Sequence, residues 1–261
     1  MRDIAKLPIL LKELRFTAMQ KLWEPLLKQA IDESWSHSRY LSVLCENEMN
    51  HLYQKRIALH TKQAQLPYGK SLATYSFDQS PGLNRIKVQD LAGNTQWVND
   101  HNNVLIFGPS GVGKTHIASA IRLSLIEKGN RVFFTNTTTL VQRLQLARKE
   151  LQLPQALAKL DHYQVLILDD IGYVRKDDAE THVLFELIAH RYETGSMIIT
   201  SNQAFSEWDG IFANSAMTVA AIDRLVHHAT ILEVVGESYR KAKCAVETQL
   251  KDEEVLPTED V

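Results

Sequence analysis

Gly108-Pro109-Ser110-Gly111-Val112-Gly113-Lys114-Thr115 sets glycines, a lysine and a hydroxyl in the pattern G-x-x-x-x-G-K-[ST]. The glycines let successive backbone N–H groups turn inward around a phosphate. A helix starting at the loop adds the partial positive charge of its N-terminus. Lys114 is expected to reach the β- and γ-phosphates of a nucleoside triphosphate, and the Thr115 hydroxyl to ligate magnesium. A second group follows 55 residues after the lysine, where the apolar run Val165–Leu168 ends in Asp169-Asp170. Asp169 at the end of such a strand is expected to hold the metal through a water. Asp170 stands where a glutamate usually polarises the attacking water. Its shorter side chain would need a second water or a shifted loop, and its alternative role is to cap the loop after the strand. Met197–Thr200 and then Ser201-Asn202 supply a third polar strand end. Asn202 either senses the γ-phosphate and the lytic water or simply begins a turn. His227-His228 lacks an acidic or thiol partner at ligand spacing, so a zinc site is not expected.

These groups need a frame, and the surrounding pattern predicts one. Val104–Phe107 reads as a buried strand before the glycine loop, and Ile117, Ile121 and Leu125 as a helix after it. Strand and helix then alternate: a strand at Arg131–Thr135, a helix marked by Leu140, Val141, Leu144, Ala147 and Leu151, and the strand Val165–Leu168. A helix through Val183–Ile188, the strand Met197–Thr200, a helix at Val219–His228 and a strand at Ile231–Val235 follow. This is the α/β pattern of a parallel sheet flanked by helices, with a last helix from Glu237 to Leu250. The first 66 residues read as a small all-helical domain. Its long third helix, capped by Ser36 or Ser38, shows an apolar face of Leu41, Leu44, Cys45, Met49 and Leu52. Pro25 marks a kink or a helix start. Residues 67–250 form the second domain, with turn formers up to Leu83 as a linker. Residues 251–261 form an acidic disordered tail.

Composition removes several classes. The net charge is −2, but residues 1–70 hold eleven Lys/Arg against seven Asp/Glu, a surplus of four. That permits phosphate contact without requiring it. Cys45 and Cys244 fit no metal or disulfide framework and suit a reducing, cytoplasmic setting. No leader pattern and no apolar run of roughly 18 residues is present, so no membrane association is expected.

The strings Gly108–Thr115, Leu166–Tyr173, Thr200-Ser201-Asn202, Asp223–His228 and Gly236-Glu237-Ser238-Tyr239-Arg240 resemble the IstB transposition-helper ATPases of insertion sequences. These belong to the AAA+ P-loop class and are kin of the DnaC helicase loaders. The resemblance extends from about Leu10 to Leu250, with Tyr75-Ser76-Phe77-Asp78 in the segment before the sheet. It implies an ATPase using ATP and Mg2+ that oligomerises on duplex DNA and stimulates an IstA-type transposase. A helicase loader that binds single-stranded DNA is the alternative. The resemblance puts Arg224 where one subunit completes its neighbour's nucleotide site; pairing with Asp223 is the other reading. Arg240 is expected at nucleotide, at DNA or in a structural role. The stretch from Thr137 to Asp161 corresponds to a helical insertion that lines a DNA channel, with Arg143, Arg148, Lys149 and Lys159 as phosphate contacts. Asp170 departs from the glutamate of many relatives, which bears on hydrolysis rate more than on ATP binding.

Overall fold

A computed structural model describes residues 6–63, 70–173, 178–212, 215–236 and 238–239. The chain divides into two compact units, Met1–Gln63 and Ala64–Val261. In the first, α1 (Leu7–Glu13) and α3 (His37–Gln63) both pack on α2 (Thr17–Asp32). Ser36 Oγ accepts the Arg39 amide at 3.2 Å and starts α3. Pro25 lies inside α2 rather than at its start. The expected apolar face of α3 is corrected: Leu41, Met49 and Leu52 are exposed, whereas Glu48 is buried at 3%. The reason is a cap made from another helix. The Glu48 carboxylate accepts the backbone N–H groups of Thr17, Ala18 and Met19 at 3.1, 2.7 and 2.8 Å. A negative charge thus meets the unpaired donors and positive dipole end of α2.

The second unit holds five strands, β1 (Asn103–Phe107), β2 (Val132–Asn136), β3 (Val165–Asp169), β4 (Ser196–Ser201) and β5 (Ala229–Glu233). They run parallel in the order β2-β3-β4-β1-β5. The unbroken apolar runs of β1, β3 and β4 suit strands covered on both faces. The cover comes from α4 (Arg85–Gly93), α5 (Gln96–Asn99), α6 (Lys114–Glu127), α7 (Thr137–Lys149), α8 (Leu153–Leu160), α9 (Asp178–Arg191) and α10 (Ser215–Val226). Among the described residues this is the parallel sheet flanked by helices that the alternating pattern predicts. The order puts β4 between the two strands whose ends carry the glycine loop and Asp169. Three stretches differ from the sequence reading. β5 starts two residues early, paired to Asn103 of β1 through Ala229. α10 begins at Ser215. The stretch from Thr137 to Asp161 is two helices, because Leu151 turns left-handed (φ 57°) and is 87% exposed instead of packing inward.

Arg191 shows how the far end of the sheet is held. Its buried guanidinium donates to the carbonyls of Tyr163, Gln164 and Ser196 at 3.1, 3.0 and 3.3 Å, which ties the starts of β3 and β4 together. The last helix of the sequence reading and the acidic tail lie outside the described residues.

Removing the Glu48 carboxylate leaves three N–H donors at a helix end without it. Glu48→Ala is expected to lower the stability of the helical unit by about 1–3 kcal/mol, with Glu48→Gln in between, measured by urea unfolding. Equal midpoints for all three proteins would contradict the cap.

Candidate nucleotide site

The loop Gly108–Thr115 leaves the carboxyl end of β1 and enters α6 with Gly113 as its N-cap (φ 103°). Its glycines are set by neighbours as well as by φ. A Cβ on Gly108 would collide with the Val234 carbonyl, and one on Gly111 with the Ser238 hydroxyl. A Cβ on Gly113 would stand 3.0 Å from the Tyr75 ring. The Tyr239 amide donates to the Gly111 carbonyl at 3.1 Å. The chain after β5 therefore lies directly on the loop.

Lys114 is buried, and its Nζ donates to the carbonyls of Gly108 and Pro109 at 2.8 Å each. The Thr115 hydroxyl lies 3.0 and 3.1 Å from the two carboxylate oxygens of Asp169. The Thr137 hydroxyl holds the Asp169 carbonyl at 2.9 Å, and the Thr200 hydroxyl donates to Asp169 Oδ1 at 2.7 Å. A hydroxyl and a carboxylate brought together at the head of a helix are hard oxygen donors that fit magnesium. The next residue, Asp170, has a left-handed backbone (φ 57°) and lines the same cavity as Ser110–Thr115.

That cavity, about 280 Å³, continues from the loop to Lys70, Thr74, Tyr75, Gln79, Ser80 and Tyr239. Its wall is the segment read from the sequence as a linker. Tyr75 stands edge-on to Phe77 and to His116, with ring centroids 4.9 and 5.2 Å apart, and its hydroxyl lies 2.9 Å from Ser80 Oγ. His116 Nε2 is 3.1 Å from the Ser71 carbonyl and 3.2 Å from Thr74 Oγ1. A carbonyl only accepts, so this nitrogen carries the proton. Burial, opposed by the Ser71 bond and aided by Lys70, pushes the imidazole below its ordinary pKa; burial pushes the Tyr75 phenol up. Tyr75, Ser80, His116, Ser238 and Tyr239 were not expected as site residues. Tyr75, Ser238 and Tyr239 fall in the strings Tyr75–Asp78 and Gly236–Arg240, where only Arg240 was expected at the nucleotide, and nothing in the sequence marked Ser80 or His116.

Asn202 follows β4, but its Oδ1 is buried against Gly172 and does not line the cavity. Arg224 is on α10 at the other end of the sheet. Its neighbour Leu225 accepts Asn103 Nδ2 at 3.2 Å, at the start of β1. The guanidinium donates to the Ala220 carbonyl at 2.8 Å and lies 5.3 Å over the Phe185 ring. No carboxylate pairs with it among the described residues. The glycine loop begins at Gly108, a whole strand beyond Asn103, roughly 16 Å at ~3.3 Å per residue. Arg143, Arg148, Lys149 and Lys159 are exposed on α7 and α8, and Arg148 pairs with Glu186 at 3.4 Å. Arg240 lies outside the described residues. The ring centroids of His227 and His228 are 4.0 Å apart, and His227 Nδ1 is 3.0 Å from the Tyr192 hydroxyl.

His116 titrates below its unfolded value, so the unfolded chain takes up that proton first. Its contribution is fully present above about pH 6.5 and is lost as the pH falls through the depressed folded value. His116→Gln, which can still donate to Ser71, is expected to flatten the acid side of the Tm–pH profile relative to wild type. Identical profiles would contradict the buried neutral imidazole.

A family model described as IstB-like ATP binding protein matches residues 9–246. The chain is 51% identical over 239 residues to an insertion-sequence ATP-binding protein of Sinorhizobium fredii, covering 92% of this chain and 80% of that one. It is 36% identical to an IS21 insertion-sequence ATP-binding protein of Pseudomonas aeruginosa, covering 96% and 97%. In fold it is similar to the DnaC helicase loader, with a TM-score of 0.53 at 21% identity over 64% of this chain and 98% of that one. AMPPCP-bound DnaA from Aquifex aeolicus also matches, with a TM-score of 0.53 at 18% identity over 74% and 58%.

Proposed function

The chain belongs to the IstB-like ATP binding protein family of AAA+ ATPases, and from that premise we propose an ATP-controlled regulator that assembles on duplex DNA and stimulates a partner transposase. The insertion-sequence relatives support a role in transposition, and no described helix is long and apolar enough to cross a membrane. A cytoplasmic location fits both.

The observation that carries the assembly is the distance between Arg224 and its own glycine loop. Lys114, Thr115 and Asp169 stand together at the carboxyl end of the sheet, whereas Arg224 is tied to the start of β1 through Leu225 and Asn103. A side chain at the opposite end serves a phosphate best when that phosphate belongs to a neighbouring subunit. Bound ATP then joins two copies, with Lys114 on one side and Arg224 on the other. Magnesium held by Thr115 and Asp169 would supply charge neutralisation at the phosphates. Asp170 orients the attacking water from the cavity wall. Asn202 reports the γ-phosphate once its amide turns from Gly172 toward the cavity. Loss of the γ-phosphate removes the contact between copies and loosens the assembly.

Duplex DNA meets the exposed cations of α7 and α8. The Arg148–Glu186 pair is solvent-exposed, worth about 0–1 kcal/mol, and gives way readily to a phosphate. Contacts of this kind position the duplex and read no bases. Arg148→Ala with Lys149→Ala is expected to weaken binding to every sequence and to lower the salt slope by about one unit per lost phosphate contact. An unchanged slope in a folded variant removes these residues from the interface.

Light scattering with ATP, magnesium and a duplex of roughly 50–60 bp, about five helical turns, tests the assembly. A large species is expected with wild type and not with Lys114→Ala or Arg224→Ala. Assembly on single strands alone would point to a helicase loader, and growth of the species with Arg224→Ala would overturn the bridging role.

A further inference from the structure

We propose that Thr200 is a positioning residue for ATP hydrolysis, setting Asp169 and Asp170 together through one hydroxyl. The proposal rests on the reading that these two carboxylates serve the metal and the water. Thr200 is fully buried near the end of β4. Its hydroxyl donates to Asp169 Oδ1 at 2.7 Å and accepts the Asp170 amide at 2.9 Å. The one hydroxyl proton goes to the carboxylate, and the oxygen lone pairs face the N–H, so both bonds form at once.

The place matters as much as the bonds. The β3–β4 register ends at Leu168 with Ile199, and Thr200 stands beside the first residue past it. On its other side Thr200 pairs with Ile106 of β1, and the next residue, Ser201, accepts the Gly108 amide at 3.2 Å. Thr200 therefore sits on the seam between the strand that leads to the glycine loop and the strand that ends in Asp169. Beyond the end of the ladder it is the Thr200 hydroxyl that receives the Asp170 amide. With its amide held, Asp170 can adopt the left-handed backbone (φ 57°) that brings it to the cavity wall. Asp169 is held at the same time with one oxygen toward Thr200 and both within reach of Thr115. Asn202 lies two residues further on, so a shift of the β4 end is passed to both carboxylates.

Packing alone would be met by valine, which has the same branched shape without the hydroxyl. The test compares Thr200→Val and Thr200→Ser with wild type in Tm, in kcat and KM for ATP, and in affinity for a fluorescent ATP analogue with magnesium or with EDTA. Thr200→Val is expected to bind the analogue in EDTA as wild type does, and to lose most of the affinity gained on adding magnesium. Its kcat is expected to fall about ten- to a hundredfold, the effect of losing a hydrogen bond to a charged group, and its KM to rise in step with the lost magnesium gain. Thr200→Ser restores both. Thr200→Cys, similar in size and weak in hydrogen bonding, stands in for valine if that variant does not fold, and the same losses are expected. A folded valine or cysteine variant with wild-type magnesium gain and kcat would overturn the proposal. So would a folded serine variant as impaired as valine. If wild type shows no hydrolysis that depends on Lys114, the reading beneath the proposal fails, and the magnesium gain in binding still decides the role of Thr200.

Discussion

Asp169 is an 8%-exposed carboxylate at the end of a strand whose other residues are apolar and buried. A charge in that position is costly unless hydrogen bonds meet it. Hydroxyls from two elements do so, Thr115 of α6 and Thr200 of β4, while Thr137 of α7 fixes the backbone carbonyl of the same residue. The strand order puts those elements within reach, since β4 lies between β3 and β1 and α6 begins where the β1 loop ends. The arrangement that keeps this charge buried is thus the one that gathers the groups suited to a metal and a triphosphate.

The glycine loop is under a similar double demand. Its glycines give the φ values a phosphate cradle needs, and they also leave room for Tyr75, Val234 and Ser238. The chain before the sheet and the chain after it both rest on the loop. The side walls of the cavity are therefore built from segments far apart in sequence and joined through backbone contacts such as the Tyr239 amide on Gly111. A nucleotide held there touches the start, the middle and the end of the unit. In the proposed assembly, that gives one ligand a means of biasing the surfaces that would meet another subunit.

The glycine loop, the central strands and the carboxylates were legible because each depends on a local pattern: glycine spacing, an apolar run, a charge at its end. What failed depended on distant partners. The face of α3 was misread because Glu48 caps α2 from another helix, a bond no periodicity displays. The break at Leu151 was hidden because a leucine fills a left-handed position that glycine usually marks. The stretch before Leu83 looked like a linker because turn formers dominate there, yet its residues from Lys70 to Ser80 make the cavity wall, through the Tyr75 ring and the carbonyl that fixes His116. Thr200 passed unremarked beside Asn202 because a threonine in a buried strand is ordinary until its hydroxyl is seen to bridge two residues of β3 and its exit.

The central claim is that a nucleotide site is completed by the next copy of the chain. Mixing Lys114→Ala with Arg224→Ala, each inactive alone, and measuring ATP hydrolysis on duplex DNA tests it most directly. In a mixed assembly the intact loop of an Arg224→Ala subunit can meet the intact arginine of a Lys114→Ala subunit, so part of the wild-type rate is predicted to return. A mixture as inactive as its components, although light scattering shows the two variants assembled together, would contradict the account.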